Sequence, residues 1–526
     1  MDLTTAKTLA GRGKMSRREF VQFALASGVT VAAANTMFAQ AAKAEPKKGG
    51  TFRIGLGSGA TTDTLDPALF PDSFNGVYGS GTLRSTLTEV TPDGKVAGDV
   101  AESFEASPDA KTWVVKLKKG VEFHNGKSLE AADVIASYNH HRSEDSKSAA
   151  KSLLKPLVDI KADGKDTVVF TLDGGNADFP YLISDFHLNI LPAVDGKADA
   201  LSGVGTGPYA LDKFEPGVKG TGKRFANYHG TTWFDAVEVV SIIDATARVN
   251  ALVGGEVDYI DRVDPKVLEN LKGAPDVEIA EVAGFAHYTA PLITKDAPFN
   301  DNNIRLALKY AINRQEIVDK VLFGHGSPGL DNPIAPGVPF YHEPKVKHTY
   351  DPEKAKFYLK QAGVGSLKVD LSAADAAFAG AVDAAVLIKD SAAKAGIDVN
   401  VVREPNDGYW DNVWLKKPWS LSYWSGRPTP DLMFTTAYAA GASWNESYWN
   451  NDQFNKLLVE ARSELDQGKR AALYAEMQDL VAEDGGAIVL MFYNFLGGHL
   501  KTLAHGKIAP NLDVDGLRIV NRWWFA

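Results

Sequence analysis

Residues 91–142 read TPDGKVAGDVAESFEASPDAKTWVVKLKKGVEFHNGKSLEAADVIASYNHHR. Pro92-Asp93-Gly94 is a turn, since proline presets its φ and glycine accepts the left-handed position that closes it. Thr112–Leu117 reads as a strand, Lys119-Gly120 as the next turn, and a second short strand is expected to end at Phe123. Ser128 is then placed to cap a helix running through Ala131–Ile135.

Outward from this stretch the chain alternates in the same way. Thr51–Gly55 is expected as a strand. The glycines Gly55, Gly57 and Gly59 after it resemble a phosphate-cradling loop, but they lead into Thr64-Leu65-Asp66-Pro67 rather than a helix N-terminus, so the anion site is missing. Ile304, Leu308, Ala311 and Ile312 fall on one helical face. Tyr350-Asp351-Pro352 starts a helix that Gly363 stops. Ser366–Leu371, an alanine-rich helix over Ala374–Lys394 closed by Gly396, and Ile397–Val402 form a βαβ unit with a parallel pair. Phe454, Leu457, Leu458 and Ala461, then Leu473, Met477, Leu480 and Val481, mark two amphipathic helices, and Ile488–Tyr493 a buried strand.

With 526 residues the chain exceeds a single core and should divide into two or three domains. A net charge of −10 with no basic segment excludes nucleic acid as a partner. The absence of cysteine removes disulfides, thiolate metal sites and cysteine nucleophiles together. Ser16-Arg17-Arg18-Glu19-Phe20 is a twin-arginine motif, followed by a mildly apolar run from Val21 to Ala42 and the small-x-small triplet Ala42-Lys43-Ala44. A cleaved export signal over residues 1–44 is expected, giving a periplasmic protein. Its removal takes away six Lys/Arg and two Asp/Glu and moves the net charge from −10 to −14.

The stretch quoted above resembles the signature region of the family 5 extracellular solute-binding proteins, the dipeptide, oligopeptide and nickel binding components of ABC importers. The resemblance rests on Asp93-Gly94, Val100-Ala101-Glu102-Ser103, Lys111-Thr112-Trp113, Gly120-Val121-Glu122-Phe123-His124-Asn125-Gly126 and Ala132-Asp133-Val134. It continues through Gly205-Thr206-Gly207-Pro208-Tyr209, Gly254-Gly255-Glu256-Val257-Asp258 and the helix after Pro298-Phe299-Asn300-Asp301. It implies an α/β type II periplasmic binding fold of the three-domain, cluster C kind, two lobes with an extra inserted domain. The expected division is 45–83 with 205–287 and 496–526 as domain I, 84–204 as the inserted domain II, and 288–495 as domain III. Hinges are expected near Gly284–Tyr288 and Tyr493–Gly498. An inner-membrane permease with its ATPase is the implied partner of a monomeric binding protein without cofactor or metal.

The candidate ligand site is the stretch Leu421–Trp449, where a strand ends at Trp424 and Pro428 and Pro430 impose a rigid loop. Tyr423, Trp424, Trp444, Asn445 and Asp431, with Tyr409 and Trp410 upstream, offer flat apolar faces with polar tips. In the dipeptide-binding relatives this loop continues Gly-Asp, and the aspartate holds the peptide amine. Here Arg427 takes that place, and a guanidinium instead suits a carboxylate or phosphate. A surface salt bridge is the alternative role for Arg427, and core packing that for Tyr409 and Trp410. The ligand classes left open are a peptide, an opine-like conjugate, a sugar acid and an oligosaccharide. Two readings from other classes stand beside import of an organic solute. A secreted hydrolase would need only two carboxylates, although no Gly-x-Ser-x-Gly or His-Glu-x-x-His motif is present. Nickel or haem transport would need ligands beyond His140 and His141, which diverge by about 100° on a helix.

Overall fold

The computed structural model describes residues 46–526 and, before them, residues 3, 5, 6, 15, 17–31, 33, 34 and 37. Arg17–Ala26 is a helix; Ser16 and the triplet Ala42–Ala44 lie outside the described residues.

Two strands organise the molecule. Val277–Pro291 and Ala487–Leu500 run 15 and 14 residues, roughly 50 Å at about 3.4 Å per residue, long enough to belong to two bodies at once. They pair antiparallel from Val277↔Leu500 to Pro291↔Ala487, and the ladder breaks between Ala283 and His287. On the Leu500 side the sheet continues through Tyr259–Ile260, Thr51–Leu56, Ala236–Ser241, Lys219–Arg224 and Tyr209–Glu215. On the Pro291 side it takes up Ser422–Trp424 and Gly326–Pro328. The apolar faces of the two sides pack separately. Phe52, Ile54, Val237 and Trp523 belong to one core, while Ile304, Leu308, Ile388 and Trp419 belong to another.

A third body carries residues 91–142. Ala101–Ala106, Thr112–Leu117, Thr167–Leu172 and Leu157–Ala162 form an antiparallel sheet. Its face of Trp113, Val115 and Phe170 packs with Val134 and Tyr138 of the helix Ala131–Arg142. Two expectations are corrected here. Residues up to Phe123 make only an isolated bridge, Glu122 to Ser128. The helix is capped by Glu130, with Asp133 accepting from the Glu130 amide at 2.9 Å, because a capping pair three residues apart closes the helix start from both sides.

The βαβ unit forms as expected, with Leu367–Ala373 parallel to Ile397–Arg403. Its helix starts later, at Ala381 and not Ala374, because Gly380 at φ +81° makes a left-handed entry. The Gly57 amide donates to Asp261 at 2.8 Å and the Gly59 amide to Asp72 at 3.0 Å; the chain's own carboxylates occupy the glycine loop.

Candidate functional site

A cavity of about 510 Å³ lies where the two sides of the large sheet face one another; other depressions of similar volume are open on the surface. Its floor is the pair of long strands, through Val282, Tyr288, Tyr493 and Phe495, next to the break in the ladder. Tyr288 stacks on Phe378 at 4.0 Å between ring centroids and on Tyr493 at 4.9 Å. Lys320, Phe323, His325 and Asp383 form the wall on the Pro291 side. Asp261, Arg262, Asp513 and Trp523 form the wall on the other.

That second wall has unusual backbone. Arg262 has φ +48°, and Val514, Asp515, Gly516 and Leu517 make a left-handed turn at φ between +53° and +67°, a region disfavoured for side chains with a Cβ and found at functional sites. The turn is held by Asp515, which accepts from the Ala509 amide at 2.7 Å and the Trp523 indole at 3.0 Å. Burial pushes the Asp261 carboxyl up to about 6, with Asp513 adding to the rise against Arg262, the Gly57 amide and Arg248. Burial raises the phenols of Tyr288 and Tyr493, and the charge of Asp513 contributes to both shifts.

Tyr423 pairs across the strands with Tyr288, so both side chains lie on one face. From it a run of aromatic edges leads away: Trp410 at 5.5 Å, Trp414 at 5.9 Å from Trp410, Trp444 at 6.3 Å from Trp414, and Trp424 at 6.1 Å from Trp444. Glu446 fixes this shelf from beneath. It accepts from the indoles of Trp414 and Trp424, each at 2.9 Å, and from the Thr289 hydroxyl at 2.8 Å; burial still raises its pKa against these donors.

The structure divides the eight residues expected at the site. Tyr423, Trp410 and Trp444 are exposed by 44, 37 and 48% and form the shelf, with Trp424 buried behind them on Glu446. Arg427 is half-buried; among the described residues its guanidinium donates only to the Ser425 and Gly426 carbonyls, at 3.1 and 3.3 Å, which does not match the salt-bridge alternative. Burial pushes its pKa down, with Asp185 and Tyr423 opposing. The other three face inward, which departs from the expectation of a ligand contact. Tyr409 packs in the core as its alternative had it, its hydroxyl on the Leu421 carbonyl at 2.7 Å. Asn445 ties the carbonyls of Tyr438, Ala439 and Trp449. Asp431 is ion-paired with Arg462 at 3.0 Å, and burial pushes it up to about 6. The loop is also shorter than expected, because Pro430 opens the helix Pro430–Ala437 behind the Thr429 cap, the one helical position that suits proline.

None of the eight lines the cavity. Of its lining, Tyr288 and residues 493–497 lie in the expected hinge segments; the acidic wall was not among the expected site residues. The available signal was Asp513-Val514-Asp515-Gly516, an acidic turn too short to interpret without its neighbours.

A family model for the bacterial extracellular solute-binding proteins, family 5 Middle, matches residues 95–446. The dipeptide-binding protein of Escherichia coli strain K12 is 27% identical over 478 residues, 82% of this chain and 88% of that protein. The periplasmic binding protein DppA from Helicobacter pylori, solved with the peptide STSA, superposes with a TM-score of 0.73 at 25% identity over 91% of this chain and 98% of that one. AgaA from A. tumefacien R10, solved with agropinic acid, gives 0.71 at 25% over 91% and 99%. The two-sided sheet with an inserted body is the α/β type II periplasmic binding fold of these proteins. The match runs from the inserted sheet to the aromatic shelf, and the chain belongs to the bacterial extracellular solute-binding proteins of family 5.

Proposed function

We propose that the chain is the substrate-binding component of an ABC importer for a small peptide or peptide-like amino acid conjugate, which it encloses between its lobes and delivers to a membrane permease. The observation that carries this reading is the cavity seated on the two strands that connect the lobes, directly beside a break in their ladder. Bending at such a break opens or closes the cavity without unfolding either core. The separate cores support domains at 45–83 with 205–287 and 496–526, at 84–204, and at 288–495. The relatives bind dipeptides, the peptide STSA and agropinic acid, which supports an amino-acid-derived solute. Arg427 and the shelf of Tyr423, Trp410 and Trp444, backed by Trp424, lie outside the cavity lining beside Tyr288 and serve the carboxylate and side chains of the part of the solute that extends beyond it. The protein acts by binding and not by turnover. It works as a periplasmic monomer exported by the twin-arginine signal and cleaved near Ala44. No helix among the described residues is long and apolar enough to cross a membrane.

The test is thermal unfolding of the mature chain against dipeptides, longer peptides, opine-like conjugates, sugar acids and neutral oligosaccharides. Ligand at 100 times its Kd adds about 2.7 kcal/mol of stability. A rise with peptides or conjugates supports the reading, a rise confined to sugars moves the ligand class, and no rise in any arm overturns it.

A further inference from the structure

The cavity has an excess of acid. Five aspartates line it, Asp261, Asp264, Asp383, Asp513 and Asp515, against Arg262, Lys266 and Lys320. On the Pro291 side Lys320 is already paired with Glu316 at 2.6 Å, and the His325 ring nitrogen with Glu281 at 2.9 Å. On the opposite wall Arg248 gives its N–H groups to the carbonyls of Asp261, Ile242, Ile243 and Arg262 and lies 3.5 Å from the Asp261 Oδ1, leaving Oδ2 to Arg262. Asp515 is satisfied within its own turn and by Arg522.

Asp264 accepts from the Lys266 amide at 2.9 Å, while Asp261 and Asp513 face the Arg262 guanidinium on the same wall. Arg262 reaches Asp513 at 3.4 Å and Asp261 at 3.6 Å, and its other contact is the Ser73 hydroxyl at 3.3 Å; each is at the long end for a charge-assisted bond. Asp261 is 2% exposed and lines the cavity, and its Oδ2 has no hydrogen-bond donor among the described residues, the Arg262 Nε standing off at 3.6 Å. A buried carboxylate oxygen without a donor is costly. The group that relieves it is compact, positively charged and rich in donors, and an ammonium supplies three N–H bonds from one centre. The stacked rings of Tyr288 and Tyr493 line the same cavity, and aromatic faces favour a cation further.

We propose that Asp513 and Asp261 receive the ammonium group of the solute, with Arg262 moving aside or sharing Asp513 when it enters. This rests on the solute-binding reading above and adds the chemistry and the wall of the site. The solute then has a free amine that meets the Asp261–Asp513 wall.

The experiment uses the mature chain and a set of dipeptides, each as the free amine and as its N-acetyl derivative, with binding measured by calorimetry for wild type, Asp513→Asn and Asp261→Asn. Melting of each unliganded variant checks that it is folded. Asp513 lies partly exposed at 21%, so its variant serves if Asp261→Asn does not fold. N-acetylation and Asp513→Asn are each expected to weaken binding at least tenfold, and Asp513→Asn to produce no further loss for the acetylated compounds. Equal binding of the two forms, or wild-type affinity in Asp513→Asn, overturns the proposal while leaving solute binding intact. Binding confined to sugar acids or neutral oligosaccharides in the wider panel overturns it in the same way. Failure of every compound in every arm overturns both readings together.

Discussion

Asp261 is held in the folded chain against its own chemistry. Its pKa of about 6, set first by burial and then by Asp513, with Arg262, the Gly57 amide and Arg248 opposing, is above the ordinary value near 4. The folded state therefore binds the proton more tightly than the unfolded one. Its contribution is favourable below about pH 4 and is lost as the pH rises through about 6. Asp261→Asn is expected to raise the stability of the unliganded protein at pH 7.5 by about 1–3 kcal/mol, a gain that disappears by pH 4. Denaturant melts at the two pH values check it, and a variant no more stable than wild type at pH 7.5 would refute it. Glu446→Ala works in the other direction. It leaves the buried indole N–H of Trp424 and the partly buried one of Trp414 without their acceptors, and about 2–4 kcal/mol of stability should be lost. Arg427→Ala, whose guanidinium bonds only to its own loop, should leave stability within about 0.5 kcal/mol and weaken a carboxylated ligand about tenfold or more in titration. Single residues were the least legible part of the sequence. Arg427 and the exposed aromatics stood out by type, but nothing local distinguishes Trp410 on the shelf from Tyr409 in the core one residue away. Neighbouring helical positions point about 100° apart, and only the packing decides which of them turns inward.

Elements were far easier to read. Thr112–Leu117, the parallel pair Leu367–Ala373 with Ile397–Arg403, and the helices Asp452–Ser463 and Gln467–Asp484 follow directly from apolar period and turn residues. The misreadings fall at ends, where one side chain or one φ angle decides: Glu130 with Asp133 in place of Ser128, Gly380 delaying a helix, Pro430 opening one. The loop between Trp424 and Pro430 has its own mechanical demand. A Cβ on Gly426 would lie 2.7 Å from the Phe285 Cβ and 3.2 Å from the Asn511 carbonyl, so the loop touches the break in the long strands with no room to spare. Gly426→Ala should cost about 1–3 kcal/mol, read from a denaturant melt, and lower ligand affinity through displacement of Arg427. Unchanged stability and affinity would mean that the loop is free of the hinge.

At the scale of the whole molecule, the inserted body is tied to both sides. Arg518 and His229 hold Asp99 at 2.7 and 3.1 Å, and Arg470 holds Asp178 at 2.8 Å with the two side chains 3 and 2% exposed. Removing one partner strands a buried charge, so Arg470→Ala should lose about 3–5 kcal/mol. The two-lobed plan was legible because the family's turn and strand pattern spans the chain. The cavity was not, because Asp261 and Asp513 come from distant segments that only the closed sheet brings together. Closure of the lobes on a solute is the central claim, and the cysteine-free chain gives direct access to it. Val253 and Val386, exposed by 56 and 44% on helices of the two lobes, can be converted as Val253→Cys and Val386→Cys and spin-labelled as the only thiols present. The distance between the labels is then measured without ligand and with the tightest-binding compound of the panel at saturation. Closure predicts a shorter and narrower distance distribution with ligand; an unchanged distribution at full occupancy would contradict it.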